Sequence, residues 1–386
     1  MIAQELYEGR EQTRIKHVVL GKYLERFTII VGKSWDSVTY VDCFSGPWNV
    51  RSDALEDTSF AVALGKLRSA RLTAQKVFNR TLAIRCLFLE KNPDSFARLK
   101  DFSEKQSDVE ILPLNADFES AIPEILNFVG RGGSQTFPFF FIDPTGWKGF
   151  PMQAIKPLLC LRKCEVLINL MTSFIPRFIE REDGSLKEGF VDLFGDDSYL
   201  DQIRDKTGWE REAALVLHYK RKISETGGFP YVPVIVVPKP GENRTHFHLV
   251  YATRHIRGIE VFKAAEREAL KILGQVRGDA KRRKREGRKG QGELFGGAEL
   301  PDNDYTEELH DRYGDLAHES VKRILETRDT VPYDELYACA MQYPLVGVQD
   351  LHKWIGDVAD IYDAGGNCKS PIICKNFLVV RRSPKS

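Results

Sequence analysis

Five short, largely apolar runs, separated by longer stretches with helical periodicity, constrain the fold of this chain more than any other feature of its 386 residues. The runs occupy 37–44, 82–90, 109–114, 137–143 and 165–170. A strand that is buried on both faces has a continuous apolar sequence, whereas a strand with one solvent-exposed face alternates apolar and polar residues. Strands that alternate with helices pair in parallel, because each crossover needs a long connection. The sequence therefore predicts a doubly wound, Rossmann-like α/β sheet.

Two further strand-like runs follow at 231–238 and 246–253, after a longer helical insert. Only the residues KPGENRT separate them, so they are predicted to pair as an antiparallel hairpin. Five parallel strands closed by such a hairpin resemble the sheet of class I methyltransferases more than a dinucleotide-binding sheet. His246 and His248 share one face of the last strand, and we expect them to pack there as half-buried histidines rather than to bind a metal.

The C-terminal part of the chain has a different pattern and predicts a second, smaller unit. We place a first domain at 1–275, a basic, glycine-rich linker at 276–301 and a smaller domain at 302–386. The smaller domain contains three helical patterns followed by one strand-like run. This order predicts a winged-helix-like α+β domain.

The segment from Arg277 to Lys289 carries eight basic and two acidic residues, in a chain whose net charge is only +1. One interpretation is a solvated, flexible linker, since glycines follow it. A second interpretation adds contacts with nucleic-acid phosphates, which attract basic clusters. The phosphate-binding side chains would then be Lys281, Arg282, Arg283, Lys284 and Arg285 of the linker and Lys353 of the smaller domain. Docking of a protein partner is an equally favoured role for that domain.

Neither the first residues nor the cysteines predict export or a membrane. No run of 18 apolar residues is present, so no transmembrane helix is expected, and the first residues are polar and charged, unlike a secretory signal. Seven scattered cysteines suit free thiols in a reducing cytoplasm better than a disulfide framework. Cys160 and Cys164 lie four apart without a second pair or a histidine cluster, so no metal site is predicted. We therefore expect a cytoplasmic protein.

Four successive predicted strands each deliver a carboxylate at their carboxyl end. Asp42 ends the first strand and Glu90 the second, Asp117 follows the third, and Asp143 ends the fourth. Ligands of open parallel sheets bind beyond these ends, so the four carboxylates are expected at one rim of the sheet. The alternative for a single acid is that it caps the following helix, as Asp117 would do.

These positions suit S-adenosylmethionine as a cofactor. The turn after Asp42 contains Phe44 and Gly46, and a glycine lets the backbone approach a ligand closely. Glu90 would accept hydrogen bonds from both ribose hydroxyls. Asp117 would accept from the adenine amino group. The predicted cofactor site therefore joins the first three strand ends.

Two features depart from the usual pattern of such a site. Pro47 and Trp48 stand in the turn where methyltransferases usually carry further glycines. The distance from Asp42 to Glu90 is 48 residues, against roughly 20 in a compact unit. Both features keep open the possibility of a fold that no longer binds the cofactor.

The fourth strand leads into the turn Asp-Pro-Thr-Gly-Trp. In amino-group methyltransferases, an Asp-Pro-Pro-aromatic turn points a carboxylate at an exocyclic amine and stacks the aromatic ring on the base. Asp143 and Pro144 match that pattern, Thr145 and Gly146 depart from it, and the aromatic residue arrives late, as Trp147. We predict catalytic roles for Asp143 and Trp147. The alternative for Trp147 is packing in the core.

Six segments taken together resemble the three-Cys-motif partner (TcmP) family. They are YLERF, YVDCFSGPW, FLEKNPDSFARL, FFFIDPTGWKGF, VLINLMTSFIPRF and LVYATRHIRGIEVFKAA, within residues 16–265. The resemblance implies a bacterial or phage protein with a class I methyltransferase-like fold. It also implies a genomic neighbour with a radical-SAM-like three-cysteine motif, as a partner protein. The resemblance implies no defined activity.

Two hypotheses for function follow from the residues and the resemblance. The first is an S-adenosylmethionine-dependent methyltransferase that acts on nucleic acid, with an exocyclic amine favoured, and works with a radical-SAM-like partner. The second is a catalytically inactive methyltransferase-fold scaffold or partner-binding protein of a modification or defence system. Binding of S-adenosylhomocysteine separates the two.

Overall fold

The computed structural model of this protein describes residues 4–46, 50–173, 184–289, 301–362, 368–369 and 377–381. Pro47 and Trp48, the two unusual residues of the first turn, lie outside these ranges, as do residues 290–300 of the predicted linker. The architecture below is that of the described ranges.

A seven-stranded sheet forms the centre of the larger part of the molecule. Its strands are β1 (Ser37–Asp42), β2 (Ala83–Leu89), β3 (Glu110–Leu114), β4 (Thr136–Ile142), β5 (Glu165–Leu170), β6 (Val234–Pro238) and β7 (Thr245–Ala252). They lie in the order β3-β2-β1-β4-β5-β7-β6. The first five strands are parallel, and β7 runs antiparallel to both β5 and β6. The predicted parallel sheet and its antiparallel hairpin are confirmed.

Helices cover both faces of this sheet, which explains why its strands are apolar throughout. They are α1 (Glu11–Gly32), α2 (Ser59–Phe78), α3 (Pro93–Glu104), α4 (Phe118–Arg131), α5 (Met152–Leu159), α6 (Gly184–Phe194), α7 (Tyr199–Ile203), α8 (Gly208–Gly227) and α9 (Ile256–Lys289). Successive residues of β4 enter opposite cores: Phe140 packs with α4, α5 and α8, whereas Phe139 packs with α1, α2 and α9. No helix of the described part is long and apolar enough to cross a membrane.

Three more helices and a small antiparallel sheet form the C-terminal part. In chain order the elements are α10 (Asp304–Thr327), β8 (Thr330–Pro332), α11 (Tyr333–Ala340), α12 (Val348–Val358), β9 (Ala359–Tyr362), β10 (Cys368–Lys369) and β11 (Leu378–Arg381). The strands lie in the order β10-β9-β11-β8. The core of this part joins Val321, Leu336 and Ile355 to Ile259 of α9, so it packs directly on the larger part.

Half of the predicted linker is helical rather than flexible. Helix α9 continues to Lys289 and includes the whole basic run that starts at Arg277. Lysine and arginine are good helix formers, so a basic composition indicates exposure to solvent and not an absence of structure. The prediction of a flexible linker is therefore wrong for residues 276–289.

Arg277 shows that this part of α9 is also integrated into the fold, because its side chain is fully buried. The guanidinium donates to the carbonyl oxygens of Lys239 at 3.1 Å and Glu242 at 2.9 Å. It also donates to Oδ1 of Asn243 at 2.9 Å. The carboxylate of Asp302, just before α10, lies 3.0 Å away. Arg277 therefore fastens the loop between β6 and β7 and the start of the C-terminal part to α9.

Replacement of Arg277 by methionine is expected to lower the free energy of unfolding by about 3 kcal/mol. The substitution removes one partner of a buried ion pair and the donors to the carbonyl oxygens of Lys239 and Glu242. Arg257→Met is the control, because Arg257 lies on the same helix but is 53% exposed in its pair with Glu260. Its cost is expected to stay below about 1 kcal/mol. Urea unfolding measures both, and equal costs would contradict the role given to Arg277.

Candidate functional site

A cavity of about 520 Å³ lies at the carboxyl edge of the parallel sheet, and we call it the rim cavity. One wall comes from the segments that follow β1 to β5. The opposite wall comes from α1, whose Thr13, Lys16 and His17 line the cavity. The rim expected from the strand ends is therefore a real concave site, closed on one side by the helix that precedes the sheet.

Asp42, at the end of β1, is completely buried and does not line the cavity. It accepts hydrogen bonds from the Ser59 hydroxyl at 2.7 Å and from the Phe44 amide at 3.2 Å. Burial raises its pKa to about 6, the bond from Ser59 acts against this rise, and the nearby charge of Asp143 adds to it. Asp42 therefore shapes the turn and the start of α2 from below, while Phe44 and Gly46 of the turn face the cavity.

Glu90, just beyond β2, lines the cavity although only 5% of the residue is exposed. Its Oε1 accepts a hydrogen bond from the Asn92 amide at 2.6 Å. Within the described ranges its Oε2 has no hydrogen-bond partner. Glu90 thus presents a carboxylate that is held in place and still has capacity to accept further hydrogen bonds.

Asp117 lies between β3 and α4, lines the cavity, and is exposed to solvent. It caps α4: its Oδ1 accepts from the Ser120 amide at 3.1 Å and its Oδ2 from the Ser120 hydroxyl at 2.6 Å. These hydrogen bonds hold its pKa below the usual range. The capping alternative is confirmed for Asp117, and its position at the cavity is compatible with a second role.

Asp143, just beyond β4, accepts a bond on each of its two carboxylate oxygens. Its Oδ2 lies 2.5 Å from Nζ of Lys16 on α1. Its Oδ1 accepts a hydrogen bond at 2.7 Å from Nδ2 of Asn169 on β5. The register pairs Ile142 with Ile168, so Asp143 and Asn169 follow as neighbours at the ends of adjacent strands. All three polar residues line the rim cavity.

Trp147, predicted to offer a ring face to a base, does not line the cavity. Its indole is only 9% exposed and stacks on Phe190 of α6, with ring centroids 4.4 Å apart. The Nζ of Lys148 lies 5.0 Å from the same ring. The alternative of core packing therefore describes Trp147 in this structure.

Three of the basic residues predicted to bind phosphates, Lys281, Arg282 and Arg283, do not line the rim cavity and have carboxylate neighbours. Lys281 lies 2.8 Å from Asp302, and Arg283 pairs with Glu11 at the start of α1. Arg282 lies 4.0 Å from a carboxylate one turn earlier on α9. These three side chains are therefore partly neutralised within the chain.

Lys284 and Arg285 continue α9, and their side chains are outside the description. Lys353 is exposed on α12, where Asp350 and Asp357 are its charged neighbours in sequence. Helix α10 carries seven acidic and three basic residues. The exposed helices of the C-terminal part are thus acidic on balance, which does not favour contact with phosphates.

The two histidines of β7 differ in their surroundings. His248 is completely buried between the Thr172 hydroxyl at 2.9 Å and the Tyr313 hydroxyl at 2.8 Å, and burial lowers its pKa to about 3. His246 lines the rim cavity, and burial lowers its pKa to about 4. No group of three possible metal ligands occurs among the residues that the structure describes.

Sequence reasoning missed Lys16 and Asn169 as members of the site. Nothing in the sequence around Lys16 marks it as part of a site, because its contact partner Asp143 is 127 residues away. Asn169 had a signal: it is the polar residue near the end of an otherwise apolar run, at the same kind of strand end as Asp42 and Asp143.

Comparison with known proteins gives fold-level likenesses only. No family model and no curated protein matches this sequence. A Legionella pneumophila protein of the DUF519 family model is similar at 11% identity, with a TM-score of 0.39, over 66% of this chain and 91% of that chain.

Two structures in complex with S-adenosylhomocysteine are also similar. An O-methyltransferase from Bacillus cereus has 11% identity and a TM-score of 0.31, over 60% of this chain and 80% of its own. Human methyltransferase-like protein 13 has 15% identity and a TM-score of 0.29, over 67% and 92%. Such low scores assign no function to this chain, and its architecture rests on its own strand order.

The raised pKa of Asp42 predicts a pH-dependent cost in stability. A carboxyl that titrates near 6 when folded and near 3.8 when unfolded stabilises the fold fully below pH 3.8 and loses this contribution as the pH rises through 6. From pH 4 to pH 7, the stability of the native protein relative to Asp42→Asn is expected to fall by about 2 kcal/mol. Urea unfolding of both proteins at the two pH values measures this change.

Asp94→Asn is the control for that measurement, because Asp94 lies in the exposed first turn of α3. Its stability relative to the native protein is expected to change little between the two pH values. An equal change for Asp42→Asn and Asp94→Asn would contradict the raised pKa.

Proposed function

We propose that this chain is an S-adenosylmethionine-dependent methyltransferase whose cofactor occupies the rim cavity. The observation that carries the proposal is Glu90: a nearly buried carboxylate at the end of β2 that lines the cavity with accepting capacity to spare. Acidic groups at that strand end hold ribose hydroxyls in nucleotide-binding parallel sheets. The antiparallel β7 beside β5 supports the same assignment.

The residues around the cavity fit the polar groups of this cofactor. Glu90 would accept from both ribose hydroxyls, and the backbone of Phe44 and Gly46 would lie along the cofactor. Asp117 would accept from the adenine amino group with lone pairs that its capping bonds leave free. Asp42 would hold the turn without touching the cofactor. When bound, the cofactor supplies an electrophilic methyl group.

Asp143 is proposed to receive the methyl acceptor. An ionised carboxylate only accepts hydrogen bonds, so it suits a group with N–H donors, such as an exocyclic amine. It would orient the amine at the inner end of the cavity, next to Asn169. No stacking role is proposed for Trp147, because one face of its ring is covered by Phe190.

Nucleic acid is proposed as the carrier of that amine, on the strength of the basic end of α9. Residues 284–289 contribute four lysine or arginine side chains and one glutamate, directly after the turn that reaches α1. If this cluster binds phosphates, a single strand of nucleic acid would run along the side of the protein that carries α1. Lys353 is left out of this proposal because acidic residues surround it in the sequence.

A second candidate function is docking of a protein partner by the C-terminal part. Its element order (helix, strand, two helices, three strands) supports a winged-helix-like domain, and the acidic balance of α10 favours a basic protein over nucleic acid. If the chain belongs to the three-Cys-motif partner family, a radical-SAM-like protein would be that partner. A methyltransferase-fold scaffold without catalysis would keep this docking and lose cofactor binding.

Isothermal calorimetry against S-adenosylhomocysteine tests the cofactor site. The native protein is expected to bind, and Glu90→Gln is expected to bind about 10- to 100-fold more weakly, since charged hydrogen bonds contribute about 1.5–3 kcal/mol. Glu104→Gln, on the exposed end of α3, is the control and should bind as the native protein does. Absence of binding by the native protein would favour the scaffold.

Filter binding of single-stranded nucleic acid at several salt concentrations tests whether nucleic acid carries the methyl-accepting amine. The variant replaces four basic residues by glutamine: Lys284, Arg285, Arg288 and Lys289. Its affinity is expected to fall less steeply with salt, by about 0.7 in the logarithmic slope for each phosphate that the variant no longer neutralises.

The control for the filter assay removes the same amount of charge elsewhere. It replaces four exposed basic residues by glutamine: Lys76, Arg98, Lys100 and Lys105. The control should keep the native slope. No binding at low salt, or equal slopes for the two variants, would contradict nucleic acid as the carrier.

A further inference from the structure

Three polar side chains from three different elements meet at the inner end of the rim cavity. Lys16 comes from α1, Asp143 from the segment after β4, and Asn169 from β5. The carboxylate lies between the other two, with the ammonium at 2.5 Å on one oxygen and the amide nitrogen at 2.7 Å on the other. We call these residues the polar triplet.

The polar triplet is fixed from several sides before any ligand binds. The side chains of Lys16 and Asp143 are only 13% and 11% exposed, and Asn169 is 2% exposed. Nδ2 of Asn169 is also 3.6 Å from the sulfur of Met171, and the ammonium lies 6.0 Å from the ring of Phe247. Buried, mutually bonded side chains keep their geometry, so the triplet can select a ligand by the positions of its donors and acceptors.

One buried atom of the triplet is left without a partner. Within the described part of the chain, Oδ1 of Asn169 receives no hydrogen bond, although it is shielded from solvent. The amide is not simply flipped, because its nitrogen is the atom that donates to the Asp143 carboxylate. Buried polar atoms in folded proteins nearly always have a partner, so an acceptor in this state beside a cavity indicates a missing N–H or O–H donor.

The triplet therefore combines acceptors with one adjacent donor. Asp143 and Asn169 offer oxygen atoms, and Lys16 offers only N–H groups. A ligand that satisfies both acceptors and the donor must carry two donor hydrogens and, next to them, an acceptor atom. A single hydroxyl supplies only one donor hydrogen, an ammonium has no acceptor, and a carboxylate has no donor.

We propose that Lys16 and Asn169 are specificity-determining residues that, together with Asp143, select a neutral amino group attached beside a ring nitrogen. This inference rests on the proposed methyltransferase function and narrows its acceptor. The amino group of cytosine or adenine donates to Asp143, with Asn169 as the second acceptor. The neighbouring ring nitrogen accepts from Lys16.

Cytidine and uridine form a matched pair of probes for this proposal. Cytosine presents an amino donor and an adjacent ring acceptor, whereas uracil presents a carbonyl acceptor and an adjacent N–H donor on a ring of the same shape. A site built for the first pattern rejects the second, because its own polar groups are then left unpaired. The two nucleosides therefore differ in the order of donor and acceptor rather than in size.

The experiment measures binding of each nucleoside to the native protein saturated with S-adenosylhomocysteine, by ligand-observed NMR. Cytidine is expected to bind at least about tenfold more tightly than uridine. Lys16→Met is expected to weaken cytidine binding at least about tenfold, and Lys16→Arg to restore part of it. Asn169→Leu, which removes the unpartnered oxygen and keeps a similar volume, is expected to weaken it as well.

Lys22→Met is the control, because Lys22 lies on α1 but does not line the cavity. The thermal shift caused by S-adenosylhomocysteine reports for every variant whether the protein is folded and the cofactor site intact. Absence of that shift in the native protein would defeat the proposed function itself. A normal shift with equal binding of both nucleosides, with binding of neither, or with an equal effect of Lys16→Met and Lys22→Met would overturn the role of the triplet alone.

Discussion

Because the central sheet is buried on both faces, charged and amide side chains can lie only at certain positions along its strands. An unpaired charge inside β1 or β5 would be costly, because both strands are buried along their whole length. Charged and amide side chains therefore collect where the strands end. Asp42, Glu90, Asp143 and Asn169 all occupy such positions. The last three line the rim cavity together with α1, and Asp42 lies buried beneath the turn that faces it. Fold stability and site location follow from the same constraint.

Helix α1 meets two opposite physical demands along its length. Its C-terminal half packs aromatic residues into the core, where Tyr23 stacks on Phe139 and Phe27 contacts the same ring. Its N-terminal half turns Lys16 and His17 toward the cavity. The pairing of Glu11 with Arg283 also connects its first turn to the basic end of α9. The helix thus links the core, the candidate site and the segment that leads to the C-terminal part.

The sheet, its hairpin and the carboxylates at the rim were predictable because they depend on local patterns: apolar runs, short turns and strand-end positions. Lys16 was not, since nothing near it in sequence marks its contact with Asp143. Trp147 was predicted to stack on a base, and its contact with Phe190 was not predictable because sequence cannot tell an exposed ring from one that is covered. The basic part of α9 resembles a linker in sequence because charge and glycine content hide helix propensity. The features that sequence did not predict depend either on contacts between distant residues or on local patterns that favour two different structures.

The wall that α1 provides has a consequence for how the protein folds. Lys16 and Asp143 are 127 residues apart, and Tyr23 meets Tyr251 across 228 residues. During synthesis α1 is made before the strands and helices that it packs on, and its aromatic face gains its last partners only when β7 and α9 have emerged. Contacts of such high sequence separation form slowly and leave apolar surface exposed meanwhile. The cavity is therefore completed late, and until then the part of α1 that packs on β7 and α9 stays uncovered in the nascent chain.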